Sequence, residues 1–70
     1  MSSPDAVTLL VEASHGITVK VGDPVRRGDN LGSALGFKGS VASPVDGIVR
    51  SVDFDSNAHA FVIKIEEKKL

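Results

Sequence analysis

The side chains with chemical potential in this chain are few and scattered. Lys38 sits in Gly36-Phe37-Lys38-Gly39, between two strong turn signals, Gly22-Asp23-Pro24-Val25 and Pro44-Val45-Asp46-Gly47. A bulky pair flanked by glycines reads as a hairpin tip, so the arrangement suggests a small module that displays a lysine. His15 and His59, with Asp53 and Asp55 on one strand face, offer nitrogen and oxygen metal ligands. No tight spacing such as H-x-x-x-H joins them, and they read as turn and solvated residues. Ser14, His15 and Asp23 are the residue types of a nucleophilic triad, but no nucleophile elbow accompanies them. Lys20, Arg26 and Arg27 gather beside the first turn, where Asp23 and Asp29 partly offset them. The glycines from Gly28 to Gly39 follow no phosphate-loop pattern and precede no helix.

These groups depend on strands for their placement. Val7, Leu9 and Val11 recur at period two within Ala6–Ala13, which predicts a strand. Ile17, Val19 and Val21 alternate with Thr18 and Lys20, a half-buried strand by the same rule. Pro24 fixes its own φ and lacks a donor, so the chain turns there. Leu31, Ser33, Leu35 and Phe37 share one face of the next strand, and a short strand returns around Val41. Ile48 to Phe54 is β-rich, with Ile48, Val52 and Phe54 on one face. Arg50 interrupts that face and is placed at a sheet rim. Phe61, Ile63 and Ile65 alternate with Val62, Lys64 and Glu66 in a last strand. No window carries apolar residues at helical period, and short strands at near-regular spacing predict an all-β barrel or sandwich. The predicted core is Val7, Leu9, Ile17, Val19, Val21, Val25, Leu31, Leu35, Val41, Ile48, Val52, Phe61, Ile63 and Ile65.

Seventy residues allow one domain at most. Residues 1–6 read as a disordered lead, 7–66 as the folded domain and 67–70 as a polar tail. A chain this short buries only about 60% of its unfolded surface, which suits a compact module better than a self-contained enzyme. The absence of cysteine excludes disulfides, thiolate metal sites and a cysteine nucleophile, and is compatible with a reducing cytoplasm. A net charge of −1 without Trp or Tyr gives nucleic acid neither a basic field nor a stacking platform. The apolar run Val7–Val11 is broken by Thr8 and ended by Glu12, far short of the about 20 residues that cross a bilayer. The start of the chain lacks the basic residues of a signal peptide. A cytoplasmic protein with no membrane insertion is expected, and no pattern specifies an oligomeric state.

Val21-Gly22-Asp23-Pro24-Val25-Arg26-Arg27-Gly28-Asp29-Asn30-Leu31 resembles the V-x-G-D-x-V-x-x-G-x-x-L turn of biotinyl and lipoyl domains. Ser43-Pro44-Val45-Asp46-Gly47-Ile48-Val49 is similar to the (A/S)-P-V-x-G-x-V segment that follows their modified hairpin. Together the matches span roughly residues 17–54. The resemblance implies a barrel-sandwich hybrid, a flattened β-barrel of two small sheets. It implies a carrier role, with covalent biotin or lipoate, if the acceptor lysine stands at the hairpin tip. The shortened hairpin puts its tip at Phe37, one position before Lys38. The flanks Phe37 and Gly39 differ from the Met-Lys-Met of biotin acceptors and from the Asp that precedes many lipoyl lysines. The compact His-Gly opening and short S-P-V-x-G-x-V exit resemble the unmodified hybrid domain in the C subunit of Rnf-type electron-transport complexes. The expectation is therefore a non-catalytic structural or docking module of a larger assembly, with Phe37 and Lys38 as its contact surface and no cofactor. A carrier acylated on Lys38 is one alternative, and an excised domain of a redox complex subunit is another.

Overall fold

A computed structural model describes residues 6–35 and 39–68. Among the described residues six strands form two sheets: β1 (Ala6–Glu12), β2 (Pro24–Val25), β3 (Asn30–Ser33), β4 (Ser40–Ala42), β5 (Gly47–Asp55) and β6 (Ala60–Glu67). The larger sheet has the order β1-β6-β5-β2 and is antiparallel throughout; β3 and β4 pair as a hairpin. A 3-10 turn, Ala13–His15, follows β1. The architecture is an all-β, barrel-sandwich-like fold, as expected: the curled larger sheet wraps a core that the hairpin covers. Among the described residues no helix is long and apolar enough to cross a membrane.

Alternation places the core. Val7, Leu9 and Val11 of β1 stand opposite Ile65, Ile63 and Phe61 of β6 on the inner face. Val11, Leu31, Val49, Ile63 and Ile65 are fully buried, and burying each such side chain is worth about 1.5–3 kcal/mol. Val25 and Val45 complete the buried cluster, and Ile17, Val19, Val41 and Val52 pack against it.

Three predicted core residues are exposed instead: Val21, Leu35 and Ile48. Ile48 is displaced by a β-bulge. The β5–β6 register steps from Val49↔Ile65 to Ser51↔Lys64, which leaves Arg50 as the extra residue. A bulge inverts the in–out phase of a strand. Val49 therefore points inward before it and Val52 after it, while Ile48 and Arg50 both face solvent. The predicted strand over Ile17–Val21 is an extended run with no ladder. Its polar groups are used singly: Thr18 N–H donates to the Leu31 carbonyl at 3.4 Å, and Lys20 bonds to Asp23 through both its N–H and its carbonyl.

That last contact belongs to a duplicated device. Lys20-Val21-Gly22-Asp23 and Arg26-Arg27-Gly28-Asp29 form the same turn six residues apart. In each, the Asp N–H donates to the carbonyl of the first residue, at 3.0 and 2.9 Å. In each, the Asp carboxylate accepts from the first residue's N–H, at 3.0 and 2.9 Å. Both glycines have positive φ, 95° and 93°, which a side chain disfavours. Their N–H groups donate to Val49 and Ser43, each at 2.8 Å, and those residues donate back to Asp23 and Asp29 at 2.9 Å. Val49 and Ser43 are also six apart, so two identical clamps fasten the segment from 20 to 29 onto the segment from 43 to 49.

Gly47, between the clamps, lies so close to β6 that an added Cβ would sit 2.2 Å from the Glu66 carbonyl oxygen. Gly47→Ala is expected to cost about 2–3 kcal/mol by overpacking, read as a lower urea midpoint at unchanged slope. Asp23→Ala and Asp29→Ala are each expected to cost about 1 kcal/mol, the worth of one turn-closing hydrogen bond, in the same titration. Equal stability of either aspartate variant and the wild type would contradict the clamp.

Candidate functional site

The hairpin tip, Phe37 and Lys38 included, lies outside the described residues. Its base is defined: the Ala34 N–H donates to the Gly39 carbonyl at 2.8 Å. The course of β3 leading into that base is set by neighbouring contacts. Thr18 bonds to Leu31, and the position of a Cβ on Gly32 would collide with Val11 and reach within 3.2 Å of the Gly16 carbonyl. The chain from Leu31 to Gly32 thus runs toward the Ala13–His15 turn. That turn is fastened to the start of β6, where the Ala13 N–H donates to the His59 carbonyl at 3.0 Å. The hairpin base and the β5–β6 turn consequently share one end of the sandwich.

This end is apolar and aromatic. Phe54 and Phe61 are register partners, with ring centroids 5.7 Å apart and planes at 65°. The His59 ring stands edge-on to Phe54 at 6.1 Å. Phe54 is 54% exposed and Leu35, at the hairpin base, 40%. Phe54 lies on the core face, as its alternation predicts, but beyond the reach of the second sheet.

Beneath the aromatics lies the one buried charged residue among those described, Glu12. Its carboxylate accepts from the Ser14 N–H at 2.5 Å and meets His59 Nδ1 at 3.2 Å. Burial raises its pKa, but the Ser14 N–H and the His59 contact outweigh that and hold the carboxyl below its ordinary value of 4.5. The His59 backbone adopts a left-handed conformation, φ 52°. Asp55 closes the same turn by accepting from the N–H groups of Asn57 and Ala58 at 2.9 and 3.3 Å.

The other sequence candidates are kept apart. Asp23 and Asp29 serve the two clamps, and Asp46 accepts from the Arg27 N–H at 2.8 Å. Of the triad types, Asp23 closes the turn beside Val49 and the Ser14 N–H bonds to Glu12, while the His15 side chain lies outside what the structure describes. Asp53 is exposed, and among the described residues no three His, Cys, Asp or Glu side chains gather as metal ligands. Lys20 makes a surface ion pair with Asp23 at 3.7 Å. A shallow depression at the opposite end, bounded by Pro24, Ile48, Lys68 and the Arg50–Glu66 ion pair, holds no poised nucleophile. Glu12 escaped the sequence reading. Its signal is a carboxylate two residues before Ser14 at a strand end, the spacing of a side chain that caps its own turn.

No family model matches the chain, and comparisons with curated proteins and with solved structures give no significant match.

The Glu12 carboxylate is stabilised in the folded state, so its contribution is full above the unfolded pKa and is lost as pH falls through the lower folded one. The wild type is expected to lose more stability than Glu12→Gln between about pH 5 and pH 3, measured by urea unfolding at each pH. Parallel curves would show that the carboxylate is not held in this way.

Proposed function

We propose that this chain is a non-catalytic, biotinyl/lipoyl-like module that serves as a structural or docking part of a larger protein assembly. Its contact surface is the end of the sandwich that carries the β3–β4 hairpin. The observation behind this reading is the pair of large apolar side chains, Leu35 and Phe54, exposed where the hairpin leaves the fold. A large exposed aromatic such as Phe54 is the kind of anchor that dominates protein–protein interfaces. The polar residues support it from the other side. Glu12, Asp23, Asp29, Asp46 and Asp55 all bond to backbone N–H groups, which suits a scaffold. On the sequence reading, Phe37 and Lys38, which lie outside the described residues, belong to the same contact surface.

A carrier role would require Lys38 to be acylated, so the two readings separate by mass. The chain is co-expressed with a biotin ligase and, separately, with a lipoate ligase, and weighed intact. The expected result is an unmodified mass in both cases. An added mass that disappears in Lys38→Ala would replace docking by group carriage. A photo-reactive residue at position 54 is expected to cross-link one protein of the assembly in the native host, and one at position 26 to cross-link none. Equal labelling from both ends would remove the hairpin end as the contact.

A further inference from the structure

The two edges of the larger sheet are unlike. β2 has only two residues, opens with Pro24 and is followed by Arg26 and Arg27. Short length, proline and charge are the devices that keep an edge from pairing with another chain. β1 is seven residues long, and Val7 to Val11 carries neither charge nor proline. Among the described residues it pairs with β6 alone.

Two hydrogen bonds show where the free backbone groups of β1 point. Ala13 N–H donates to the His59 carbonyl, in phase with the β1–β6 register, and Lys68 N–H donates to the Asp46 carbonyl, in phase with the β5–β6 register. In antiparallel sheets alternate residues bond to opposite sides. Odd-numbered residues of β6 therefore bond to β1, and even-numbered ones to β5. Val7, Leu9 and Val11 are the partners of Ile65, Ile63 and Phe61, so they spend their backbone groups on β6. The N–H and carbonyl groups of Thr8 and Leu10 point away from the sheet. Both side chains are exposed as well.

We propose that a second copy of this chain adds to this edge, β1 against β1, antiparallel about a two-fold axis at Leu9. This register overlaps the strand along its whole length. Thr8 of one copy faces Leu10 of the other, which puts outward-pointing backbone groups opposite each other in bonded pairs. Val7 faces Val11 and Leu9 faces Leu9, so apolar groups meet on the inner face. The only charge in the overlap, Glu12, faces the uncharged Ala6, so no like charges oppose. The two four-stranded sheets become one sheet of eight. A strand pair buries less than the roughly 1,200 Å² of a standard interface, so the dimer is a weak one.

Sedimentation velocity from about 5 µM to about 1 mM tests this directly. The wild type is expected to pass from monomer to dimer across that range. Thr8→Lys combined with Leu10→Lys brings like charges together twice across the axis, and should be monomeric throughout with an unchanged melting curve. Thr8→Glu combined with Leu10→Glu should behave the same. An equimolar mixture of the lysine and glutamate variants should form a heterodimer that salt weakens. A wild type that stays monomeric to about 1 mM overturns the proposal. So does a lysine variant that dimerises as the wild type does, or a mixture that fails to associate.

Discussion

The fold rests on two carboxylates that bond backward into their own turns. Asp23 and Asp29 each hold the N–H three residues earlier, and each uses its main chain to receive a bond from the strand opposite. A charged acceptor so close in sequence costs little chain entropy to position. The glycine before each aspartate supplies the positive φ that frees its N–H for Val49 or Ser43. Because the clamps and their receptors are both six residues apart, the two segments cannot slip past each other by one or two residues without losing both. That register decides where β2 and β3 begin, and so where the hairpin leaves the body.

The remaining features follow from that frame. Fixing Val49 on one side while β5 pairs with β6 on the other leaves one surplus residue, which the bulge at Arg50 absorbs. The bulge turns Val49 and Val52 inward together, although their spacing would put them on opposite faces. The core ends before β5 and β6 do, so Phe54 is left half-covered and shares its end of the molecule with the hairpin base. Glu12 ties that end together by holding both Ser14 and His59. The polar side chains thus organise turns.

Much of this is legible in the residues, and the parts that are not have physical causes. β1 and β6 alternate cleanly, so their strands and buried faces can be read directly from Val7-Leu9-Val11 and Phe61-Ile63-Ile65. The turns at Gly22-Asp23-Pro24 and Pro44-Val45-Asp46-Gly47 are equally plain. The bulge is not, because Arg50 signals only that an alternating face is broken and not which side of the break is shifted. Ile17–Val21 has strand alternation, but the Asp23 side chain captures the backbone of Lys20 and the ladder never forms. That competition is local, and periodicity does not register it. At the candidate site, the sequence places Phe54 on one face with Ile48 and Val52 but not in the core, and its exposure depends on tertiary cover that periodicity does not register. Glu12 reads as a polar strand end, since its partner His59 is distant in sequence.

On the proposed reading of a module that docks by one end and pairs along one edge, the clamps are its rigid spine. Amide hydrogen exchange by NMR tests that spine most directly. The Gly22, Gly28, Ser43 and Val49 amides are predicted to exchange together, at the free energy of global unfolding, alongside those of Ile63 and Ile65. Exchange of Gly28 and Ser43 through a separate, low-energy opening while the β1–β6 ladder stays protected would contradict the account.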